Sequence, residues 1–213
     1  TAELMTLPKA VIFDIGNVLI EWQPQRLYAE LIPDEDARRT FFEIAAPEAM
    51  NDEIDRGAPF RETVYEHAEK FPQYRDLIRA WHDRWLDMAS PSIPGSWAIL
   101  RELKSLDVPV FALSNFGVES FAYAETIYPV LGQFDQRYIS GHMKLIKPDP
   151  QIYAELEAAS GLQGAELAFF DDRHDNIAAA KEFGWQAHVF TDPNGMLVNL
   201  NEMGLLCNSQ LIV

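Results

Sequence analysis

The chain has 213 residues, of which 33 are acidic and 17 basic, giving a formal charge of −16. An excess of that sign repels phosphate backbones and anionic lipid, which argues against nucleic acid and membrane surfaces as partners. It also repels anionic small molecules at long range, so any anion site must be made locally by a few cations, backbone amides or a metal. Hydrophobic residues at 48% and charged residues at 23% are enough for a sizeable core. The single cysteine, Cys207, excludes an intrachain disulfide and fits a reducing compartment. No apolar run approaches the ~20 residues of a membrane span, and the first nine residues lack a signal pattern. A cytoplasmic protein is expected, and no feature sets an oligomeric state.

Ala10 to Phe13 is a short apolar run that ends in Asp14, with Gly16 and Asn17 close behind. Such a run bounded by turn formers suits a buried parallel strand. After Ile20 the pattern turns helical. Pro24 is placed to open a helix through Leu27, Tyr28 and Leu31, and Asp34 to cap a second one carrying Phe41, Phe42 and Ile44. Asp55 to Pro59 reads as a turn. Phe60, Val64, Tyr65 and Ala68, then Leu77, Ile78, Trp81 and Trp85, recur at helical spacing as core stripes. Residues 22–90 therefore read as an all-helical insertion, with Ser90 to Gly95 as the return hinge and residues 1–21 and 91–213 as the core.

Beyond the hinge, helix and strand patterns alternate. Trp97, Leu100, Leu103 and Leu106 mark a helix, and Val108 to Leu113 a strand ending at Ser114 and Asn115. Helices follow at Glu119–Tyr128, Pro150–Ala159 and Asn176–Phe183, and strands at Tyr138–Ser140, Leu167–Phe170 and Gln186–Phe190. The alternation predicts an α/β fold, a parallel doubly wound sheet of Rossmann-like type with the helical segment inserted as a cap. The apolar tail from Leu205 to Val213 either packs on the body or stays free of it.

Three predicted strands end in polar groups: Asp14, then Ser114 and Asn115, then Asp171 and Asp172, with Lys147 before the Pro150 helix. In a parallel sheet the carboxyl ends share one edge, so these groups converge. Carboxylates brought together repel unless they share a proton or a hard cation. Magnesium held by one or two of them, with water and a phosphate oxygen, fits the count, and Lys147 would offset the remaining negative charge.

The pieces Phe13 to Val18, Leu113-Ser114-Asn115, Lys147-Pro148 and Phe170-Asp171-Asp172, with Asp175-Asn176 behind, resemble the haloacid dehalogenase superfamily in order and spacing. The likeness is greatest to a small bacterial subgroup that includes a sugar-1-phosphate phosphatase. The resemblance implies that Asp14 is a nucleophile forming a covalent aspartyl intermediate. It further implies Mg2+ on Asp14, the Gly16 carbonyl, Asp172 and Asp171, the last direct or through water. Ser114 and Asn115 would bind the phosphoryl oxygens and Lys147 would stabilise charge on the nucleophile and transition state. Asp175 would orient Lys147 or a metal-bound water, or cap its helix. Trp22 would pack or line the cleft between cap and core.

Phosphatases of that family carry a proton-donating aspartate where this chain has Gly16. Another group must supply the proton, with Glu21 and His174 as candidates, or the leaving group must need less help, as at the anomeric carbon of a sugar phosphate. The rival reading is a metal-independent 2-haloacid dehalogenase, for which Lys147 and Tyr153 have the right spacing but Asp171-Asp172-Arg173 does not. A non-catalytic protein that binds a phosphorylated ligand is the third. Arg26, Arg56, Arg61, His67 and His82 are the cap residues considered for substrate selection, and Lys147 is treated as an exposed cation whose removal spares the fold.

Overall fold

The computed structural model describes residues 5–206. One sheet of five parallel strands comprises β1 (Ala10–Phe13), β2 (Val110–Ser114), β3 (Gln136–Ile139), β4 (Leu167–Asp171) and β5 (Gln186–Val189), in the order β3-β2-β1-β4-β5. All neighbours pair in parallel, with Phe13 opposite Ala112 on one side and Phe170 on the other. The chain leaves β1 toward β2 and β3 and later returns to β1's free side as β4. The topological switch point therefore lies between β1 and β4, where open α/β sheets bind their ligands.

The buried strands read as continuous apolar runs because helices cover both faces. Val11, Phe13, Val110, Ala112, Ala168 and Phe170 pack into one core, and Ala10, Ile12, Phe111, Leu113, Leu167 and Phe169 into the other. Helices α1 (Pro24–Leu31), α2 (Glu35–Ala45), α3 (Pro47–Asp55), α4 (Phe60–Glu69), α5 (Arg75–Asp83) and α6 (Trp85–Met88) form the insertion. They are followed by α7 (Pro94–Ser105), α8 (Val118–Ile127), α9 (Ser140–Met143), α10 (Pro150–Ser160), α11 (His174–Glu182) and α12 (Pro193–Glu202). Helices α7 and α12 lie on the first face through Ile99, Leu103, Met196 and Leu200, and α10 and α11 on the second through Ile152, Leu156 and Ile177. Among the described residues no helix is long and apolar enough to cross a membrane.

The local signals act as their chemistry predicts. Pro24 occupies the first turn of α1, and the Asp34 carboxylate caps α2 by accepting from the Ala37 N–H at 2.7 Å. Helices α3, α9 and α12 form where the sequence pattern gave none. Helix α3 buries only Pro47, Met50 and Ile54, too sparse a stripe to stand out. Ile44, expected on the apolar side of α2, is exposed. Leu205 and Leu206 pack into the core, and the rest of the predicted tail lies outside the described residues.

The two connections to the insertion run side by side. The Glu21 N–H donates to the Pro91 carbonyl at 2.9 Å and the Ile93 N–H to the Leu19 carbonyl at 2.8 Å. At the far end, α3 is seated on the core by close approaches that exclude side chains. A Cβ on Gly117 would lie 2.6 Å from Ile54 Cγ2, and one on Gly57 (φ +108°) 2.9 Å from the Gly141 carbonyl oxygen. Both contacts fix the C-terminal end of α3 above the ends of the strands.

Candidate active site

A cleft of about 550 Å³ separates the insertion from the carboxyl ends of β1, β2 and β4. Its floor brings together the predicted strand-end residues Asp14, Ser114, Asn115 and Asp172 with Gly16 and Lys147. Its roof comes from the insertion, with Glu48, Asn51, Asp52, Asp55, Trp81 and Trp85.

Lys147 is the hub of the floor, and it is buried rather than exposed. Its Nζ donates to Asp171 Oδ2 at 2.5 Å and to the Leu113 carbonyl at 2.9 Å, and lies 3.1 Å from Asp14 Oδ1. Three acceptors thus surround an ammonium with three protons. Burial alone would pull the Lys147 pKa down, but the charges and hydrogen bonds of Asp14 and Asp171 outweigh it and hold the pKa above its ordinary value. Asn115 fixes the lysine's backbone: its Nδ2 donates to the Lys147 carbonyl at 3.0 Å and its Oδ1 accepts from the Lys147 N–H at 2.8 Å. Both ends of the Asn115 amide are thereby occupied, so this side chain positions Lys147. Ser114, beside Asp14, is buried and has no such commitment to the lysine.

Asp171 and Asp172 occupy different environments. Asp171 is fully buried, and both its oxygens are engaged: by Lys147, by the Arg173 N–H at 2.8 Å, and by Asn176 Nδ2 at 3.0 and 3.1 Å. Asp172 is half-buried, faces the cleft, and accepts one side-chain bond, from Asn17 Nδ2 at 3.1 Å. Asn17 adopts a left-handed backbone, φ 59°, and its Oδ1 also accepts from the Trp22 N–H at 2.8 Å. It therefore ties the Asp172 carboxylate to the chain as it enters the insertion. Sequence reasoning gave Asn17 and Asn176 no role. An asparagine beside a glycine at a strand end was the available signal for the first.

Ligand oxygens of Asp14, Asp171 and Asp172 lie within 4.8 Å of one another. Burial first, then the Asp171 charge, push the Asp14 pKa up to about 7 against the opposing pull of Lys147. Burial and Asp171 likewise raise that of Asp172. Three crowded carboxylates and one cation leave a net negative site that a small hard cation would balance. The residues therefore fit magnesium, with Asp14 and Asp172 the carboxylates facing open space. A Cβ on Gly16 would meet only Trp22 Cβ, at 3.5 Å, so the glycine is not there to relieve a clash.

The other predicted residues fall away from the chemistry. Asp175 pairs with Arg173 at 2.7 Å rather than reaching Lys147, and its neighbour Asn176 makes the contact to Asp171. His174 is exposed at the start of α11 and lines no part of the cleft. Glu21 lines the cleft but is bound to Arg26 at 2.8 Å. Tyr153 is fully buried, donating to the Asn176 carbonyl at 2.9 Å. None of Arg26, Arg56, Arg61, His67 and His82 lines the cleft. Trp22 does, packing edge-on against Trp81 with ring centres 5.9 Å apart.

Asp55 was read as a turn residue and is the main addition. It is the last residue of α3, half-buried in the roof, and its Oδ2 accepts from Asn51 Nδ2 at 3.1 Å. Asn51 Oδ1 in turn accepts from the buried Trp81 Nε1 at 3.0 Å. Burial and the charge of Asp52 raise the Asp55 pKa to about 7, against the pull of Lys147.

A family model for haloacid dehalogenase-like hydrolases matches residues 8–184. The sesquiterpene phosphatase astK of Aspergillus oryzae is 23% identical over 201 residues, covering 94% of this chain and 98% of its own. A HAD-like hydrolase from Porphyromonas gingivalis superposes with a TM-score of 0.72 at 21% identity, covering 96% of this chain and all of that one. A HAD family enzyme from Bacteroides thetaiotaomicron, solved with magnesium and inorganic phosphate, gives a TM-score of 0.66 at 20% identity, over 87% of this chain and 95% of its own.

Proposed function

The chain belongs to the haloacid dehalogenase-like hydrolases, and within that family we propose that it is a magnesium-dependent phosphatase acting on a small phosphorylated metabolite, phosphorylated sugars being the first class to test. The observation that carries this reading is the cluster of Asp14, Asp171 and Asp172 around a single cation, Lys147. Such a charge balance suits a site that takes up a divalent cation and a phosphate together. The phosphatase astK and the relative solved with magnesium and phosphate support the same reading.

In this reading Asp14 attacks phosphorus and forms an aspartyl-phosphate, which water then hydrolyses. Asp14 and Asp172, with the Gly16 carbonyl, would hold Mg2+, and Asp171 is a further carboxylate of the set, direct or through water. The metal, when bound, supplies charge neutralisation for the phosphoryl oxygens. Lys147 holds the Asp14 carboxylate in place and stabilises negative charge beside it, while Asp171, Asn176 and Asn115 hold the lysine. The Ser114 hydroxyl is the side-chain donor for a phosphoryl oxygen.

A metal-free dehalogenase would have to keep Asp171 and Asp172 beside Asp14 with one lysine to balance three charges. It would also lack the tyrosine, since Tyr153 lies in the core. The deciding experiment is phosphate release from p-nitrophenyl phosphate with and without magnesium, for the wild type and Asp14→Asn. Release that needs magnesium and Asp14 supports the proposal. Halide release from a 2-halo acid without metal supports the rival, and silence in both assays with thermal stabilisation by phosphate supports a binding protein.

A further inference from the structure

An ordinary alcohol is a poor leaving group from its phosphate ester at neutral pH unless its oxygen is given a proton, and positioned proton transfer contributes typically 10²–10⁴-fold. The floor of the cleft has no group to give one. Gly16 has no side chain, Lys147 has its three acceptors, and Asp14, Asp171 and Asp172 form the charge cluster. Arg173 is paired with Asp175, Asn115 is committed to the Lys147 backbone, and the Ser114 hydroxyl is too weak an acid. Of the two donors expected from sequence, Glu21 is bound to Arg26 and His174 is outside the cleft. For an ordinary alcohol, the remaining source of the proton is the roof.

We propose that Asp55, carried over the site by helix α3 of the insertion, is the general acid of this enzyme, a role that rests on the phosphatase reading of the site. Four observations converge on it. It lines the same cleft as Asp14 and Lys147. Its position is set by the seating of Ile54 against Gly117 and of Gly57 against Gly141, the residues immediately around it in the chain. The Trp81–Asn51–Asp55 relay orients its carboxyl: a buried indole N–H turns the Asn51 amide so that its NH₂ donates to Oδ2. Finally, Asp55 sits at the C-terminal end of a helix, next to Asp52 and half-buried, three conditions that each disfavour the ionised form. The charged groups acting on it are Asp52 from its own helix and Lys147 from below. A carboxylic acid kept protonated near neutral pH is what the step needs.

The proton accounting closes. Asp14 attacks phosphorus, the phosphorus–oxygen bond to the alcohol breaks, and the oxygen takes its electron pair together with the proton of Asp55. In the second step the Asp55 carboxylate takes a proton from the water that attacks the aspartyl-phosphate. This regenerates the acid, frees Asp14 and releases inorganic phosphate.

The test is leaving-group dependence in the whole 213-residue chain loaded with magnesium. An alkyl phosphate needs the proton, whereas p-nitrophenolate is a far better leaving group. Asp55→Asn keeps the shape of the side chain and is expected to lower kcat at least tenfold more on the alkyl ester than on the aryl ester. Asn51→Leu, which leaves Asp55 in place but removes its orienting donor, is expected to show the same bias to a smaller degree, and it decides the matter if Asp55→Asn folds poorly. Equal losses on the two esters, or no loss on either, would overturn the assignment of Asp55. Failure of the wild type to hydrolyse either ester would instead remove the phosphatase reading, and the assignment with it.

Discussion

The floor and the roof of the cleft hold their charges in opposite ways. On the floor, Asp14, Lys147, Asp171, Asn176 and Asn115 are locked to one another at 2.5 to 3.1 Å, and the buried cation has a carboxylate on either side. On the roof, Glu48, Asp52 and Asp55 face the same space, and among the described residues the basic side chains lining the cleft, Lys147 and Arg173, belong to the floor. A preorganised floor suits a fixed reaction on a phosphoryl group. An acidic, tryptophan-lined roof suits a neutral, hydroxyl-bearing or cationic leaving group and disfavours one carrying a second phosphate. In the proposed reading the strand ends carry the nucleophile and its cation, and the insertion carries the proton donor and selects the leaving group.

Removing the floor's proposed nucleophile should have the largest effect. Asp14→Asn is expected to lower magnesium-dependent phosphate release by about four orders of magnitude or more, since covalent catalysis has no substitute group nearby. Residual activity within tenfold of wild type would separate Asp14 from the reaction.

Lys147→Ala comes next and strikes both turnover and folding. The earlier expectation, that this cation is exposed and dispensable for the fold, does not hold, because Lys147 is buried between Asp14 and Asp171. Breaking a buried pair from one side typically costs about 3–5 kcal/mol, and loss of a charge stabiliser about 10²–10³ in kcat. Denaturant unfolding in the absence of magnesium measures the first. A loss below about 1 kcal/mol would mean that the floor is not locked in the way described.

That correction shows where the sequence stops being readable. The strands and their terminal groups were legible because a parallel strand is a local pattern, an apolar run ending in a polar residue, and the sheet does the rest of the placing. Asp14, Ser114, Asn115 and Asp172 reached the cleft from that pattern, and Lys147 from its place just before the Pro150 helix. The depth of Lys147 was not legible, since it depends on Asn115 and Asp171 closing around it from separate strands. Asp55 was invisible for a different reason. Helix α3 has too sparse an apolar stripe to show its facing, and the following Arg56-Gly57-Ala58-Pro59 made its last residue look like part of a turn.

Magnesium should stabilise the folded protein more at pH 8 than at pH 5. In the metal-free fold Asp14 keeps its proton up to about 7, whereas an unfolded aspartate releases it near 3.8. Between those values the folded form binds the extra proton, so stability falls as pH rises through the window and is fully reduced above it. Asp55, also raised to about 7, acts in the same sense. Binding is worth about 2.7 kcal/mol at a hundredfold excess over Kd, a Tm shift of roughly 5–10 °C for a chain of this size. A shift that is equal at both pH values would detach the carboxylate cluster from metal binding.

Gly117→Ala tests the roof without touching a charged group. Its Cβ would lie 2.6 Å from Ile54 Cγ2 and 2.9 Å from Ser120 Oγ, so the end of α3 must lift or the core loop must yield. Overpacking of this kind costs about 1–3 kcal/mol. If the roof sets which leaving group fits and gives it a proton, the variant should lose more on a bulky phosphorylated sugar than on a small aryl phosphate, by about three- to tenfold in kcat/KM.

The smallest effects are expected at the two donors suggested by sequence alone, and they sharpen the division of labour most economically. Glu21 lines the cleft but its carboxylate is held by Arg26, which also reaches the carbonyls of Asp87 and Ser90 at the hinge. His174 points from the exposed start of α11 outside the cleft. Glu21→Gln keeps a hydrogen-bond acceptor for Arg26 and removes only an exposed ion pair, worth about 1 kcal/mol or less. Neither Glu21→Gln nor His174→Ala should change kcat on an alkyl phosphate by more than about threefold. A hundredfold loss in either, with the fold intact by circular dichroism, would return the proton donor to the floor and leave the roof with selection alone.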